Sequence, residues 1–431
     1  MGSLSALRSR RHHRLGLAAA LISSLALGAC DQGNGDAGKG RAGGGLQLPN
    51  VLYLAIGMNA DQVLDGRSHE EVQAQLSSLE TGYRQIHPST HFQFSLYPEA
   101  ELHSAIRQRN QAGIGPDLLL LNGTTALKLL AQGLVDPFPA TSADLNLFRA
   151  RDLGRLRDRR GQLAGLPVLV QNQVACFNRQ RLPQPPRTVQ ELLAVGASGH
   201  PIGLSADVIN LYWSAGSLGA TGSINRLLSG QTATAQDRQQ LLNWLSWLQD
   251  ANNQLWVTFY PSQQTVITEF LAGRLDWMPC NSLTLPRLRQ HLGQQLGVSA
   301  LPSGAGGDAS PVNRLRVLAL GHSSSASGRQ RALTFVRYST NPLIQRLLTL
   351  GSQTVLPANR FVKVPVQSSE VLQALETANQ QGQVVGQGLQ SLADNNQQIA
   401  KAQAVITPLL FGAMKPERAA DQLIALLQKH R

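Results

Sequence analysis

The sequence predicts an α/β protein with two lobes, and three observations carry this prediction. Apolar residues make up 42% of the 431 positions, which is enough to fill two hydrophobic cores. Apolar runs of strand composition alternate with segments of helical periodicity. The alternation breaks at residues 161–167 and then resumes, which indicates a second layer of the same kind.

The first half of the chain predicts strands and helices in alternation. Residues 51–58 and 91–97 have strand composition, and residues 117–121 are a continuous apolar run typical of a parallel strand buried on both faces. Ser68 and Glu71 have the spacing of a capping box, so we expect a helix to begin there. Further helices are predicted at 99–109 and 124–132.

The second half of the chain repeats the pattern. Helices are predicted at 188–193, 236–249, 265–271, 329–339 and 342–350, and strands at 275–280, 298–301 and 315–320. From residue 369 onward the sequence is rich in Gln and Leu and predicts a helical C-terminus.

The N-terminus has the pattern of an export signal. Residues 1–14 are basic, and residues 15–27 form an apolar run too short to span a bilayer in the mature protein. The next residues, ending in Ala29 and Cys30, resemble a bacterial lipobox, in which the cysteine is acylated. Residues 1–29 are therefore expected to be a lipoprotein signal peptide, and Cys30 the lipidation site on the periplasmic side of the cell membrane.

Residues 30–46 and the remaining cysteines extend this interpretation. Residues 30–46 are mostly Gly, Asp, Ala and other polar residues, and they predict a flexible tether between lipid and body. Cys176 and Cys280 remain as a pair in an oxidising compartment, either as a disulfide or as two buried thiols. No metal site is expected, because no His pair accompanies them, and no cofactor is expected.

The charge distribution argues against a nucleic-acid partner. The formal net charge is +12, of which four arginines before residue 30 supply +4. The remaining +8 is thinly spread, whereas a nucleic-acid groove needs a dense basic stripe with aromatic residues beside it. The Gly-rich segment 304–309 lies between prolines and opens no helix, so it predicts a loop and not a dinucleotide site.

Four segments in order resemble the extracellular solute-binding proteins of sugar-type ABC importers, family 1, the maltose-binding class. They are residues 116–138, 165–193, 270–301 and 332–357. The resemblance implies a type II periplasmic-binding-protein fold, in which two α/β lobes are joined by a multi-strand hinge. It implies a first lobe of 47–170, to which about 312–350 return, and a second lobe of 171–311, on which about 351–431 pack.

The same resemblance and the ends of the predicted strands give the candidate ligand-binding residues. Polar side chains and aromatic rings are expected there, because they match the hydroxyls and apolar faces of a sugar. The candidates are Met58, Asn59, Asn122, Gly123, Gln171, Asn172, Asp207, Asn210, Trp213, Trp277, Asn281 and Ser282.

These observations predict a binding protein and not an enzyme. We expect a monomeric, lipid-anchored protein that passes a small neutral polar solute, a sugar or glycoside, to membrane permease subunits. A disaccharide, a polyol and a compatible-solute glycoside all fit. Anionic ligands are disfavoured, because no Arg clearly falls on a candidate cleft loop. The alternatives are an exported carbohydrate-acting hydrolase, or a solute-sensing lipoprotein without a transport role.

Overall fold

Strands in two separate sheets organise the protein in the computed structural model, which describes residues 50–59, 66–385 and 396–428. The predicted signal peptide, Cys30 and the tether lie outside these residues. The strands are β1 Asn50–Met58, β2 Thr90–Pro98, β3 Leu118–Asn122, β4 Val135–Asp136, β5 Leu166–Gln171, β6 Gln173–Asn178, β7 Ile202–Ser205, β8 Val257–Tyr260, β9 Trp277–Asn281, β10 Leu296–Ser299, β11 Arg314–Gly321 and β12 Leu356–Pro357.

Helices connect these strands, and most lie within a few residues of the predicted positions. The helix expected to begin at Ser68 begins at Gly66. The helices are α1 Gly66–Ile86, α2 Leu102–Gln111, α3 Gly123–Ala131, α4 Ser142–Asn146, α5 Ala150–Gly154, α6 Val189–Ala197, α7 Val208–Leu211, α8 Trp213–Ser217, α9 Ala220–Leu228, α10 Ala235–Asn252, α11 Gln263–Leu271, α12 Leu285–Leu292, α13 Ala326–Thr340, α14 Pro342–Ser352, α15 Glu370–Gln381, α16 Asn396–Leu410 and α17 Pro416–Gln428.

The first sheet has the order β12-β5-β11-β3-β1-β2, with β4 also paired to β11. The parallel layer expected at the start of the chain is present, because β1 pairs in parallel with both β2 and β3. Strand β11 instead runs antiparallel to β3 and β5. It enters the sheet after the chain has passed through the second sheet, so the local sequence carries no signal for its direction.

The second sheet has the order β10-β6-β9-β7-β8. The chain crosses from the first sheet to the second between β5 and β6, with Asn172 as the single intervening residue. It returns between β10 and β11, and it leaves again after β12 to form α15, which packs on β6 and β10. These three crossings join two α/β lobes.

Each lobe has its own hydrophobic core. In the first lobe, Leu54 and Leu119 of the sheet pack with Phe335 of α13. In the second lobe, the sheet packs with α10, and Ile406 of α16 and Leu423 of α17 belong to the same cluster. None of the helices in the described ranges is both long and apolar enough to cross a membrane.

The N-terminus of α10 is fixed by a buried carboxylate. Asp237, which is 1% exposed, accepts hydrogen bonds from the Thr234 backbone N–H (2.9 Å) and hydroxyl (2.7 Å), and it forms an ion pair with Arg226. Desolvation acts to raise the pKa of Asp237, but bonds from Thr234, Ser223 and Arg226 outweigh it and hold that pKa well below 3.8.

This depressed pKa gives a pH-dependent prediction. Asp237→Asn is expected to lower the free energy of unfolding by about 1–2 kcal/mol at pH 7. Since the folded-state pKa is below the unfolded one, the contribution of Asp237 is complete above pH about 4 and declines as the pH falls further. Urea unfolding of both proteins from pH 7 to pH 3 measures this.

Asp250→Asn is the matched control for that series. Asp250 lies on the same helix, is exposed, and has no side-chain ion pair within the described part of the chain. Its replacement should change the free energy of unfolding by less than about 0.5 kcal/mol at every pH. A difference between Asp237→Asn and wild type that stays constant down to pH 3 would contradict the assignment.

Candidate ligand-binding cleft

A cleft of about 490 Å³ lies where the two lobes meet. The ends of β1 and β3 and the first turn of α3 line it from the first lobe, while Asp207 and Ile209 line it from the second. The crossing before β11 and the first residues of β11 contribute residues 312–315. Of the predicted site residues, the structure brings Met58, Asn59, Asn122, Gly123 and Asp207 together here.

Three buried amides form a hydrogen-bonded chain beside the cleft. Asn59 Nδ2 donates to Gln171 Oε1 at 2.7 Å, and Asn122 Nδ2 donates to Asn59 Oδ1 at 3.0 Å. All three side chains are at least nine-tenths buried. The chain connects the ends of β1, β3 and β5, so these strand ends keep a fixed spacing. Gln171 itself lies behind the cleft and supports Asn59.

An arginine that the sequence analysis did not single out supports this chain of amides. Arg316 of β11 is 3% exposed and donates from Nη1 to Asn122 Oδ1 at 3.0 Å and to Glu99 Oε2 at 3.2 Å. Its Nη2 donates to the carbonyls of Gly57 (2.6 Å) and Leu120 (3.0 Å). Glu99 Oε1 in turn accepts the Asn122 backbone N–H at 2.8 Å. The buried charge is therefore fully paired.

The first crossing holds two more predicted site residues away from the open cleft. Asn172 is 0% exposed, its backbone N–H donates to Ser282 Oγ at 3.2 Å, and its carbonyl accepts the Ser282 N–H at 2.8 Å. Neither polar atom of the Asn172 side chain has a hydrogen-bond partner among the described residues. Asn172 and Ser282 thus join the first crossing to the end of β9.

Two of the second-lobe candidates, Asp207 and Asn281, cap helix N-termini. Asp207 accepts a hydrogen bond from the Ile209 N–H at 2.8 Å and so caps α7. Asp207 also lines the cleft. Asn281 accepts the Leu283 N–H at 3.0 Å. Asn210 and Asn281 line a small neighbouring hollow together with Gln173. They are therefore near the cleft but not among its lining residues.

The structure corrects the prediction that Trp213 and Trp277 contact the ligand. Trp213 and Trp277 are both 0% exposed in the core of the second lobe. Their ring centroids are 6.2 Å apart, and Trp213 makes an edge contact with Trp247. Both lie in apolar surroundings within the packed layer, so neither ring is available to a ligand in the cleft.

Cys176 and Cys280 form a disulfide, which decides between the two alternatives left open by the sequence. Their Cα atoms are 5.9 Å apart on the neighbouring antiparallel strands β6 and β9. Cys280 directly precedes Asn281, so the bond fixes the strand end from which Asn281 and Ser282 follow.

The sequence analysis missed the charged residues of the cleft. Besides Asp207 the lining includes Glu99, Lys128, Arg155 and Arg314. Arg155 lies in the basic segment 151–160, and Arg314 directly precedes a predicted strand. Neither position in the sequence indicates a cleft residue. The expectation that no Arg falls on the cleft is therefore wrong.

Comparison with known proteins shows the fold. The sequence matches no family model and no curated protein. The structure is similar to the GacH receptor of Streptomyces glaucescens (TM-score 0.68, 16% identity, 89% of this chain and 100% of that chain). It is also similar to the maltose-maltodextrin binding protein of Alicyclobacillus acidocaldarius (TM-score 0.66, 18% identity, 88% and 100%). The chain has the type II periplasmic-binding-protein fold.

A third similar structure is an ABC transporter solute-binding protein from Thermotoga lettingae bound with α-D-tagatose (TM-score 0.66, 14% identity, 88% of this chain and 99% of that chain). In the type II periplasmic-binding-protein fold of the present chain, the cleft lies beyond the carboxyl ends of β1 and β3, where ligands of open α/β sheets bind.

Proposed function

We propose that this protein is the substrate-binding component of an ABC importer, and that it captures a sugar or glycoside and releases it unchanged to permease subunits. The observation that carries the proposal is the cleft between two lobes of this fold. The similar GacH receptor was solved in complex with acarbose, and the similar Thermotoga protein with α-D-tagatose. Amides at strand ends suit hydroxyl groups.

Capture is proposed to work by closure of the two lobes about their crossings. The moving bodies would be 47–170 with 312–350, and 171–311 with 351–431. Cleft residues of both lobes would then contact one ligand, and a drier site would strengthen their hydrogen bonds. The Asn172 side chain, which has no hydrogen-bond partner among the described residues, lies at the first crossing, where such a rotation would change its surroundings.

The cleft carboxylates support binding in preference to hydrolysis. Glu99 is engaged by Arg316 and by the Asn122 N–H, and Asp207 is engaged by the Ile209 N–H. Each carboxylate is thus engaged by groups of the protein itself, whereas a glycosidase needs two carboxyl groups that flank the scissile bond of the substrate. We therefore propose a non-enzymatic role. We also propose that the protein acts as a monomer.

We further propose that the protein works outside the cytoplasm, on the periplasmic side of the cell membrane. The support is the signal-like segment 1–29, the lipobox-like cysteine at Cys30 and the disulfide, a bond that persists in oxidising compartments. Acylation of Cys30 would tether the protein close to its permease, and mass spectrometry of the N-terminal peptide tests it.

A binding screen tests the proposed function. At least one mono- or oligosaccharide is expected to raise the melting temperature of the protein, because a ligand of the native state stabilises it by linkage. Thr125→Trp, which places a large ring in the cleft, should abolish that shift. Thr81→Trp, at an exposed site on α1 outside the cleft, should leave it intact.

Two outcomes would contradict the proposal. One is a panel in which no carbohydrate shifts the melting temperature while an amino acid does. The other is recovery of a cleaved sugar from the incubated protein, which chromatography of the released ligand would detect. Equal binding by wild type and Thr125→Trp would place the ligand elsewhere.

A further inference from the structure

Among the described residues that line the cleft, positive side chains outnumber negative ones. Lys128, Arg155 and Arg314 line it, together with the carboxylates Glu99 and Asp207. Glu99 is already neutralised by its ion pair with Arg316, a buried residue outside this lining. Among the described residues, Lys128 and Arg314 therefore face the cleft with Asp207 as the one carboxylate not paired with an arginine, which gives the ligand a positive environment.

Arg314 is the most informative of these cations. It is half-buried at the start of β11, directly after the second crossing and next to Gln171 in the sheet register. Its guanidinium has no hydrogen bond or ion pair with any residue in the described ranges. A partly desolvated guanidinium without a partner is suited to a planar anionic oxygen group, which it can bind through two parallel bonds.

The N-terminus of α3 adds a second source of positive potential. Gly123, Thr124 and Thr125 open this nine-residue helix and line the same cleft. Asn122 occupies the N-cap position, but its side chain bonds Asn59 and Arg316 and does not cap the helix. The first N–H groups of a helix have no partner within it, so an anion in the cleft would be stabilised by them.

Gly123 packs against Leu156 at the start of α3. A Cβ at this position would lie 2.4 Å from Leu156 Cδ2, so a larger residue would require the buried Leu156 side chain to shift. Arg155, adjacent to Leu156, lines the same cleft. One packing contact therefore brings the helix N-terminus and a basic side chain to the same space.

We propose that the ligand is an acidic sugar, whose anionic oxygen group binds Arg314 and the positive end of α3 while its hydroxyls bind the polar groups at the strand ends. This inference rests on the proposed function and names the substrate class of the same cleft. It replaces the expectation of an uncharged solute, which depended on the apparent absence of arginine from the cleft. A carboxylate and a phosphate share the required chemistry.

Calorimetric titration with matched ligand pairs tests the inference. Glucose is compared with glucuronate and with glucose 6-phosphate, and galactose with galacturonate, in buffer free of phosphate. At least one acidic member should bind ten times more tightly than its neutral partner or better. The uronates and the sugar phosphate distinguish a carboxylate ligand from a phosphate ligand. Raising the salt concentration should weaken the acidic member selectively.

Variants assign the effect to the cleft. Arg314→Gln should weaken binding of the acidic sugar about tenfold to a hundredfold and leave any binding of the neutral partner unchanged. Arg346→Gln, at an exposed position on α14 outside the cleft, is the matched control and should bind as wild type does. Both should show the melting temperature of the unliganded wild type to within a few degrees.

The outcomes separate this inference from the function on which it rests. A neutral sugar that binds as tightly as its acidic partner would overturn the inference and leave sugar capture intact. An acidic sugar that binds Arg314→Gln as tightly as wild type would also overturn it. If neither acidic nor neutral sugars bind, both the inference and the proposed function are wrong.

Discussion

Arg316→Met is expected to lower the free energy of unfolding by about 3–5 kcal/mol at neutral pH, the largest effect we predict for one substitution. Within the described part of the chain, the substitution removes four hydrogen bonds, two to carbonyls and one each to Glu99 and Asn122. It also leaves the Glu99 carboxylate, whose side chain is 13% exposed, without its cation. Burial of an unpaired charge and of unsatisfied carbonyls accounts for the cost.

Arg314→Met is the matched control, because it makes the same change two residues earlier on the same strand. Arg314 is half-buried and has no side-chain partner within the described residues, so its replacement should change stability by less than about 1 kcal/mol. Urea unfolding followed by circular dichroism measures both variants.

A double variant tests the interaction between Glu99 and Arg316. Glu99→Gln combined with Arg316→Met should be more stable than the sum of the single effects predicts, because the glutamine carries no charge to be left unpaired. If Arg316→Met unfolds within about 1 kcal/mol of wild type, Arg316 does not support the strand ends in the way described.

Loss of the disulfide is expected to lower the free energy of unfolding by about 2–5 kcal/mol. Cys176 and Cys280 are 104 residues apart in sequence, so their bond closes a long loop and restricts the unfolded chain. Both residues are buried among apolar side chains of the second lobe. The double variant Cys176→Ala/Cys280→Ala removes the bond, and urea unfolding compares it with oxidised wild type.

Reduced wild-type protein separates the bond from the packing of the sulfur atoms. It retains both sulfur atoms but lacks the cross-link, so it should be intermediate between oxidised wild type and the double variant, and closer to the double variant. Reductant should have no effect on the double variant itself. Equal urea midpoints for oxidised and reduced wild type would show that the bond contributes nothing to stability.

The order of strands and helices was predictable because the local spacing of apolar residues indicates each element. Apolar runs and helical spacing gave β1, β2, β3, α3, α10 and α13 close to their observed bounds. The ends of β1 and β3 were also found, because polar residues directly follow apolar runs. Met58, Asn59, Asn122 and Gly123 line the cleft for this reason.

The sequence by itself determined the α/β class, the two lobes and the polar strand ends, since each of these depends on residues close together in the chain. The tertiary structure alone decided that Trp213 and Trp277 are core residues, that Cys176 bonds Cys280, and that Arg314 faces the cleft. Such outcomes depend on which face of a helix or strand is covered by residues that are distant in the sequence. No local pattern encodes those partners, because they meet only when the sheets are assembled.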